Sequence, residues 1–410
     1  MKDNDHPLLR VWISMSDLAT SRGSAPLYFG MRGDRLAVSA LFLVNGFLVG
    51  SWAPKIPVLM ARLGITESIM GLLILVFGLG SIAIMPVIGA LTARHGSAPL
   101  LKPATLGVLP MLFLLTIAPE LITTAVVIFV FGGLIGGMDV AMNTNAVAVE
   151  KRMKRAIMSS CHGFWSLGAL LGAALGGVLL GALGELAHAF ILTILAAGAA
   201  LFALPLLAQD QPTPEARAAT PLKFPRSPLP YLVGIMALFS MIPEGAILDW
   251  SALFLQKEHG AGIELAALGF AAFSATMAIM RFAGDFIRQR LGAVVTLRIC
   301  GGFALTGMML AALAPTPQLA ILGFAIAGIG ISNIVPIAFS AAGNLPGIPS
   351  GIGLSIVTVM GYSGILVAPS AIGFIAEHTG FSPVLMGTAA LVLVTLGLSR
   401  LARHANFSAE

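Results

Sequence analysis

Long apolar runs separated by short polar breaks fill the chain from residue 36 to residue 402. A helix that crosses a bilayer needs about 20 apolar residues. Twelve windows meet that need: 36–58, 69–92, 102–118, 121–147, 157–181, 187–208, 229–255, 264–285, 292–314, 318–342, 351–374 and 382–402. The breaks carry turn chemistry, as in His95-Gly96-Ser97, Ala118-Pro119-Glu120, Ala314-Pro315-Thr316-Pro317 and Asn344-Leu345-Pro346-Gly347, where glycine and proline interrupt helices. The longest break, 209–228, holds Pro212, Pro214, Pro221 and Pro225 and falls between the sixth and seventh windows. The pattern predicts an all-α membrane protein of twelve transmembrane helices in two six-helix bundles. Its expected parts are a cytoplasmic tail (1–33), a first bundle (34–208), a linker (209–228), a second bundle (229–404) and a short tail (405–410).

The two halves repeat. Gly50-Ser51-Trp52-Ala53 and Leu248-Asp249-Trp250-Ser251 place their tryptophans 198 residues apart (250 − 52), and Gly71 and Gly269 keep the same offset. Trp165-Ser166 matches Tyr362-Ser363 at an offset of 197, and Gly136 with Asp139 matches Gly330 with Asn333 at 194. After the second window comes Gly89-x4-Arg94-x-Gly96, and after the eighth Gly284-x5-Arg290-x-Gly292. A half-length repeat in a chain of membrane helices points to a transporter built of two similar halves, with its site between them.

Composition agrees. Charged residues make up 10% of the chain and hydrophobic ones 57%, against about 25% charged in soluble domains. Cys161 and Cys300 both lie in apolar windows; they make no disulfide framework and read as small core residues. With the N-terminus inside, twenty of the Lys and Arg residues fall on the inner side, and Lys55, Arg62 and Lys257 on the outer. That asymmetry predicts cytoplasmic termini in an inner membrane. Lys151-Arg152-Met153-Lys154-Arg155 serves topology or lipid head groups. The basic residues lie in short loops between spans, which argues against a nucleic-acid partner. No Walker loop, zinc pattern or Gly-x-Ser-x-Gly elbow occurs, so neither an enzyme nor a cofactor nor a metal is expected.

Over residues 34–404 the chain resembles the major facilitator superfamily. The two Gly…Arg-x-Gly loops resemble that superfamily's loop signature, carried here by Gly89, Arg94 and Gly96 and by Gly284, Asp285 and Arg290. The acid expected in the first loop is replaced by Ala93 and the following basic pair by Ser97-Ala98, so only the second loop keeps the charged form. A narrower likeness, to the MosC/YbjJ-like subfamily, rests on Gly50-Ser51-Trp52-Ala53-Pro54-Lys55-Ile56-Pro57, Asp139-Val140-Ala141-Met142-Asn143 through Val149-Glu150, Ser159-Ser160-Cys161-His162-Gly163, Glu244-Gly245 with Asp249-Trp250-Ser251, and Gly361-Tyr362-Ser363-Gly364. The subfamily name is tied to rhizopine, a cyclitol amine, which implies polar, sugar-like or cyclitol-like cargo.

Polar groups inside spans mark candidates independently of family. An ionisable side chain near mid-bilayer costs about 2.5–3.5 kcal/mol on insertion scales, so it faces a cavity or a partner. Three acids lie well inside windows, Asp139, Glu244 and Asp249, whereas Asp285 sits at a window's cytoplasmic end and reads as part of the loop latch. Glu244 follows Pro243, which removes a helical hydrogen bond, and it is a proton-coupling candidate together with Asp139. Asn143 lies one turn from Asp139, and the returning fifth window brings His162 and Ser166 to similar depths. These four could hold a proton, a sodium ion or cargo hydroxyls, or simply clamp two helices. Asn45 and Asn333 offer donors and acceptors to a hydroxylated solute or to a neighbouring helix. Trp165 and Tyr362 could stack on a sugar-like ring. Trp52 and Lys55 are expected to face Asp249 and Trp250 across the pseudo-twofold axis as an external gate, with an interfacial aromatic belt as the alternative for the tryptophans. Gly163, Gly168, Gly172, Gly176 and Gly177 mark close helix crossing.

The resulting expectation is a monomeric secondary transporter in a lipid bilayer, moving a small polar solute by alternating access with a proton, or a sodium ion, as partner. Efflux of amphipathic compounds and a receptor or scaffold without turnover are the alternatives.

Overall fold

The computed structural model describes residues 27–28, 31–210 and 225–406. The expected tails and linker fall, over 1–26, 29–30, 211–224 and 407–410, outside the described residues. Apart from a two-residue antiparallel pair, Leu27–Tyr28 with Met31–Arg32, the described chain is helical. The first half holds α1 (Gly33–Trp52), α2 (Lys55–Leu63), α3 (Glu67–His95), α4 (Ala98–Val108), α5 (Met111–Ile117), α6 (Leu121–Met153) and α7 (Met158–Ala203). The second holds α8 (Leu229–His259), α9 (Ile263–Leu291), α10 (Ala293–Ala312), α11 (Pro317–Ile331), α12 (Ile334–Ala342), α13 (Ser350–Thr379) and α14 (Phe381–Gly397). The first window is shorter than expected. Helix α1 stops at Trp52, just before Ala53-Pro54, and Lys55 opens a separate short helix.

Ten helical segments among the described residues are long and apolar enough to cross a membrane, or eleven if Phe381–Gly397 and Ser399–Ala405, bent by 58°, form one span. The 46-residue α7 is not a single rod. Gly184 has φ 80 and ψ 178, outside the helical range. A Cβ placed on Gly176 would lie 3.6 Å from Leu192 Cδ1, whereas residues 16 apart on a straight helix stand about 24 Å apart. The chain therefore reverses at Gly184. Counting its two limbs as separate crossings, and the bent pair as one, accounts for the twelve windows.

The repeat is visible in the packing. In the first half α1 crosses the first limb of α7 closely enough that a Cβ on Gly168 would lie 2.1 Å from the Leu43 carbonyl oxygen. The matching pair, α8 and α13, meets at Gly361, where a Cβ would lie 2.4 Å from Met241 Sδ. At one end of each bundle a glycine turns the chain with positive φ, Gly96 (φ 88) and Gly292 (φ 76), which a side chain would strain. Each following helix is capped from beyond its bundle's last span. Asp210 accepts from Ser97 N at 2.9 Å and Asn406 accepts from Ala293 N at 2.7 Å. Both members of the two pairs are 196 residues apart (406 − 210 and 293 − 97). Asp210 and Asn406 lie just past the expected bundle ends at 208 and 404, and their side chains satisfy helix N–H groups that would otherwise lack acceptors.

Large apolar side chains face outward around the bundle, Ile122 at 73% exposure and Val178 and Phe374 at 68%. In lipid such faces need no protein cover, and the helix satisfies its own backbone.

Candidate functional site

The two halves are tied at one end, the end that the charge asymmetry assigns to the cytoplasm. Helix α7 begins there with four backbone N–H groups in need of acceptors. Glu150 Oε1, on α6, accepts from Ile157 N at 2.9 Å and Met158 N at 3.1 Å. Asp285, on α9 of the other half, accepts from Ser159 N at 2.9 Å and Ser160 N at 3.0 Å. It also accepts from the Ser160 hydroxyl, which in turn receives Arg35. Two carboxylates thus cap one helix N-terminus, where negative charge is favoured by the helix dipole, and one of them comes from the opposite half. Arg288 Nη1 lies 3.0 Å from Glu150 Oε1, and Ser340 donates to Glu150 Oε2 at 2.6 Å. Glu150 is fully buried, so its charge is sustained by four donors from both halves. Lys151 Nζ donates to the Gly343 carbonyl at 3.1 Å.

This latch departs from the expected loop motif. Asp285 belongs to it, but Arg94 and Arg290 are exposed, and Arg290 lies over the Phe286 ring at 4.2 Å. Arg288, two residues earlier, is the latch arginine because its register on α9 points it at Glu150. The matching position of the first-half loop holds Ala93 rather than an acid. A Cβ on Gly89 would lie 2.3 Å from Ser355 Cβ, so α3 and α13 close by backbone proximity where α7 and α9 close by charge. Gly284 makes room for Asn333, whose Oδ1 would lie 1.7 Å from a Cβ there.

At mid-depth a second polar group gathers between the halves. Asn143 Nδ2 donates to Asp139 Oδ1 at 3.3 Å, and Asn143 Oδ1 meets His162 Nε2 at 3.3 Å. The aromatic rings of Phe42 and Phe339 hold the imidazole edgewise, at 5.2 and 5.5 Å. Asp139 Oδ2 is buried without a hydrogen-bond partner. Ser166 donates to the His162 carbonyl at 3.1 Å and receives Arg281 Nη1 at 2.6 Å. Arg281 Nη2 lies 3.1 Å from Glu244 Oε1. Tyr362 stands within electrostatic reach of both Asp139 and Glu244. The structure therefore brings Asp139, Asn143, His162, Ser166, Glu244 and Tyr362 to one region.

Arg281 corrects the sequence reading, which counted it among inner-side loop residues. It is 5% exposed, within α9. The break between α11 and α12 explains its position. Pro336 has no N–H, so the Ser332 carbonyl lacks its helical donor, and Arg281 Nε approaches it at 3.5 Å. The signal was present in the sequence: an arginine four residues inside the end of an apolar window.

Three other candidates point elsewhere. Asn45 donates to the Ile135 carbonyl at 3.3 Å and receives Trp165 Nε1 at 2.9 Å, so both side chains tie helices within the first half. Asn333 donates to the Met280 carbonyl at 3.2 Å inside the second half.

The expected external gate is not assembled. Lys55 is buried and pairs with Glu185 at 3.1 Å and Thr116 at 2.7 Å, and Arg62 joins Glu185 at 3.4 Å. Trp52 is buried in the first-half core. Asp249 is exposed, and Trp250 packs on Phe381 at 5.6 Å in its own half. Glu185 was missed because it lies beside the Gly184 reversal, in a break between windows. Among the described residues, hydrogen bonds and ion pairs between the halves occur only at the latch end and at mid-depth. The outer ends are untied, so Lys55 pairs within its own half with Glu185 and Thr116 while Asp249 stands exposed.

The Major Facilitator Superfamily profile matches residues 38–369. An MFS-type transporter of Yersinia pestis is 37% identical over 372 residues, covering 89% of this chain and 94% of that protein. The transporter y4wD of Sinorhizobium fredii is 36% identical over 341 residues, covering 83% and 90%. The membrane protein MosC of Rhizobium meliloti is 31% identical over 372 residues, covering 89% of each. Among solved structures, the Escherichia coli fucose:proton symporter FucP superposes with a TM-score of 0.76 at 15% identity, covering 90% of this chain and 98% of that one. FucP in its outward conformation gives 0.74 at 16% identity. Profile, relatives and fold together show that this multi-pass membrane protein belongs to the Major Facilitator Superfamily.

Proposed function

We propose that the protein is a secondary active transporter that carries a small polar, sugar-like solute across the inner membrane by alternating access, coupled to a proton. The observation that carries this reading is Asp139, a buried carboxylate with one oxygen unpartnered, set beside a network that crosses from one half to the other. Glu244, the other proton-coupling candidate, already faces a guanidinium. Two carboxylates against one guanidinium leave the central group one negative charge in excess when all are ionised. One proton on Asp139 removes that excess, which favours carrying the loaded site across a low-dielectric interior. Sugar-like cargo is supported by the density of hydrogen-bonding groups at mid-depth, and the solved neighbour FucP is titled a fucose:proton symporter. The latched inner end and untied outer end correspond to a state open to the outside.

A proton descending 100 mV supplies about 2.3 kcal/mol, enough to concentrate a neutral solute tens-fold. The test is transport in proteoliposomes. Asp139→Asn, which keeps the shape and removes the titratable group, is expected to retain solute counterflow and to lose accumulation driven by a pH gradient. Full pH-driven accumulation by this variant would refute the coupling assignment.

A further inference from the structure

Arg281 is anchored more completely than a charge-neutralising partner for Glu244 requires. Its Nε is directed at the Ser332 carbonyl freed by Pro336, its Nη2 at Glu244 on α8, and its Nη1 at Ser166 on α7 of the opposite half. The crossing of α7 and α9 at this point is a built contact. The rings of Phe164 and Phe282 lie 5.4 Å apart edge to face, and a Cβ on Gly163 would lie 3.1 Å from the Phe282 ring. A guanidinium carries five N–H donors; three are directed at these partners, and two have no acceptor among the described residues. Glu244 Oε2 likewise takes no hydrogen bond, and the Tyr362 hydroxyl makes none among the described residues. Between the halves therefore lie two unpaired N–H groups of Arg281, the unpartnered acceptors Asp139 Oδ2 and Glu244 Oε2, and a hydroxyl that both donates and accepts.

That mixture discriminates among cargoes. A carboxylate offers only acceptors and would meet two carboxylates besides Arg281. An ammonium offers only donors and, once Asp139 carries the proton of the transport reading, would add an unbalanced positive charge beside the Glu244–Arg281 pair. Hydroxyl groups donate and accept, so a neutral polyhydroxylated ring satisfies every member of the set. We propose that Arg281 is the specificity-determining residue of the central site, donating its two free N–H groups to adjacent hydroxyls of a neutral polyol. This inference rests on the transport reading above and deepens it.

The experiment is a binding titration on the purified full-length protein, read as thermal stabilisation, with myo-inositol, L-fucose, D-glucuronate and D-glucosamine as probes. The wild-type protein is expected to bind at least one of the neutral probes more than about tenfold tighter than the acid or the amine. Arg281→Lys keeps the charge but loses the planar fork and is expected to weaken that binding about tenfold or more. The double variant Arg281→Gln with Glu244→Gln keeps the net charge. It is expected to melt near the wild-type temperature without ligand and to show the same loss of binding. Equal or tighter binding of glucuronate or glucosamine by the wild type would overturn the proposal, as would an unchanged affinity in the folded double variant. These two results leave proton-coupled transport standing. Failure of the wild type to bind any of the four would overturn the sugar-like cargo and the role of Arg281 together.

Discussion

Glu150 shows how a buried charge can act as a joint. It accepts from the α7 backbone on its own side and from Arg288 and Ser340 on the other. Removing one member of a buried pair costs about 3–5 kcal/mol, because the other is left charged without its partner. Glu150→Gln is therefore expected to lower the stability of the latched state by about that amount. A cysteine replacing Val147, which packs where Gly343 of the other half approaches, should then react with a membrane-impermeant maleimide from the inner side; it should stay protected when Glu150 is present. Lys55 and Asp249 give a second test. Because Lys55 is satisfied by Glu185 and Thr116, Asp249→Asn is expected to leave transport within about twofold of the wild type. Glu185→Gln is expected to destabilise the protein by about 3 kcal/mol, read as a fall in melting temperature. A transport-dead Asp249→Asn protein would restore the cross-half gate. The geometry of the central region was partly legible from sequence, since Asp139, Asn143, His162 and Ser166 follow from helix register and the return of the next span. Arg281 was marked only by its place inside a window's end, and the pairing of Glu150 with Arg288 was not legible, because near a window's end periodicity does not distinguish a buried charge from a loop charge. Their side-chain partners also lie 37 to 190 residues away in the chain.

Helix crossings set the next scale. The glycines of α7 look alike in sequence, yet they divide into two kinds. A Cβ on Gly172 would lie 2.2 Å from the Phe47 carbonyl oxygen, whereas one on Gly177 would meet nothing within 4 Å. Gly172→Leu must push α1 away and is expected to abolish folding or to cost more than about 3 kcal/mol. Gly177→Ala is expected to be neutral or to stabilise by about 0.5–1 kcal/mol, through the helix preference of alanine. Melting temperatures of the two variants in detergent check the pair, and similar values would contradict the crossing. The apolar windows anticipated the spans well, because length and hydropathy are local properties. What they missed was set by particular residues. Proline ends α1 early and splits the tenth window at Ser332-Asn333, and a glycine with positive φ turns α7 back on itself. The half-length repeat was legible at the tryptophans and loops, but Asp210 and Asn406, its most symmetric pair, lie in segments that read as linker and tail.

At the scale of the whole molecule, two bundles with matched helix pairings are latched at one end, meet through a polar network at mid-depth and are untied at the other. Rocking such halves about a central site exposes it to one side at a time. On the proposed alternating-access reading, the charged capping at α7 and the glycine-packed approach of α3 to α13 are the contacts that release when the site opens to the inner side. On that proposed reading this movement carries a solute and a proton together. The most direct measurement is proton movement caused by solute alone, in proteoliposomes with no imposed gradient, with myo-inositol and L-fucose as probes. Adding one of these polyols is expected to alkalinise the external medium in proportion to its uptake, with the response absent in Asp139→Asn. Polyol uptake by the wild-type protein with no accompanying change in external pH would contradict the account.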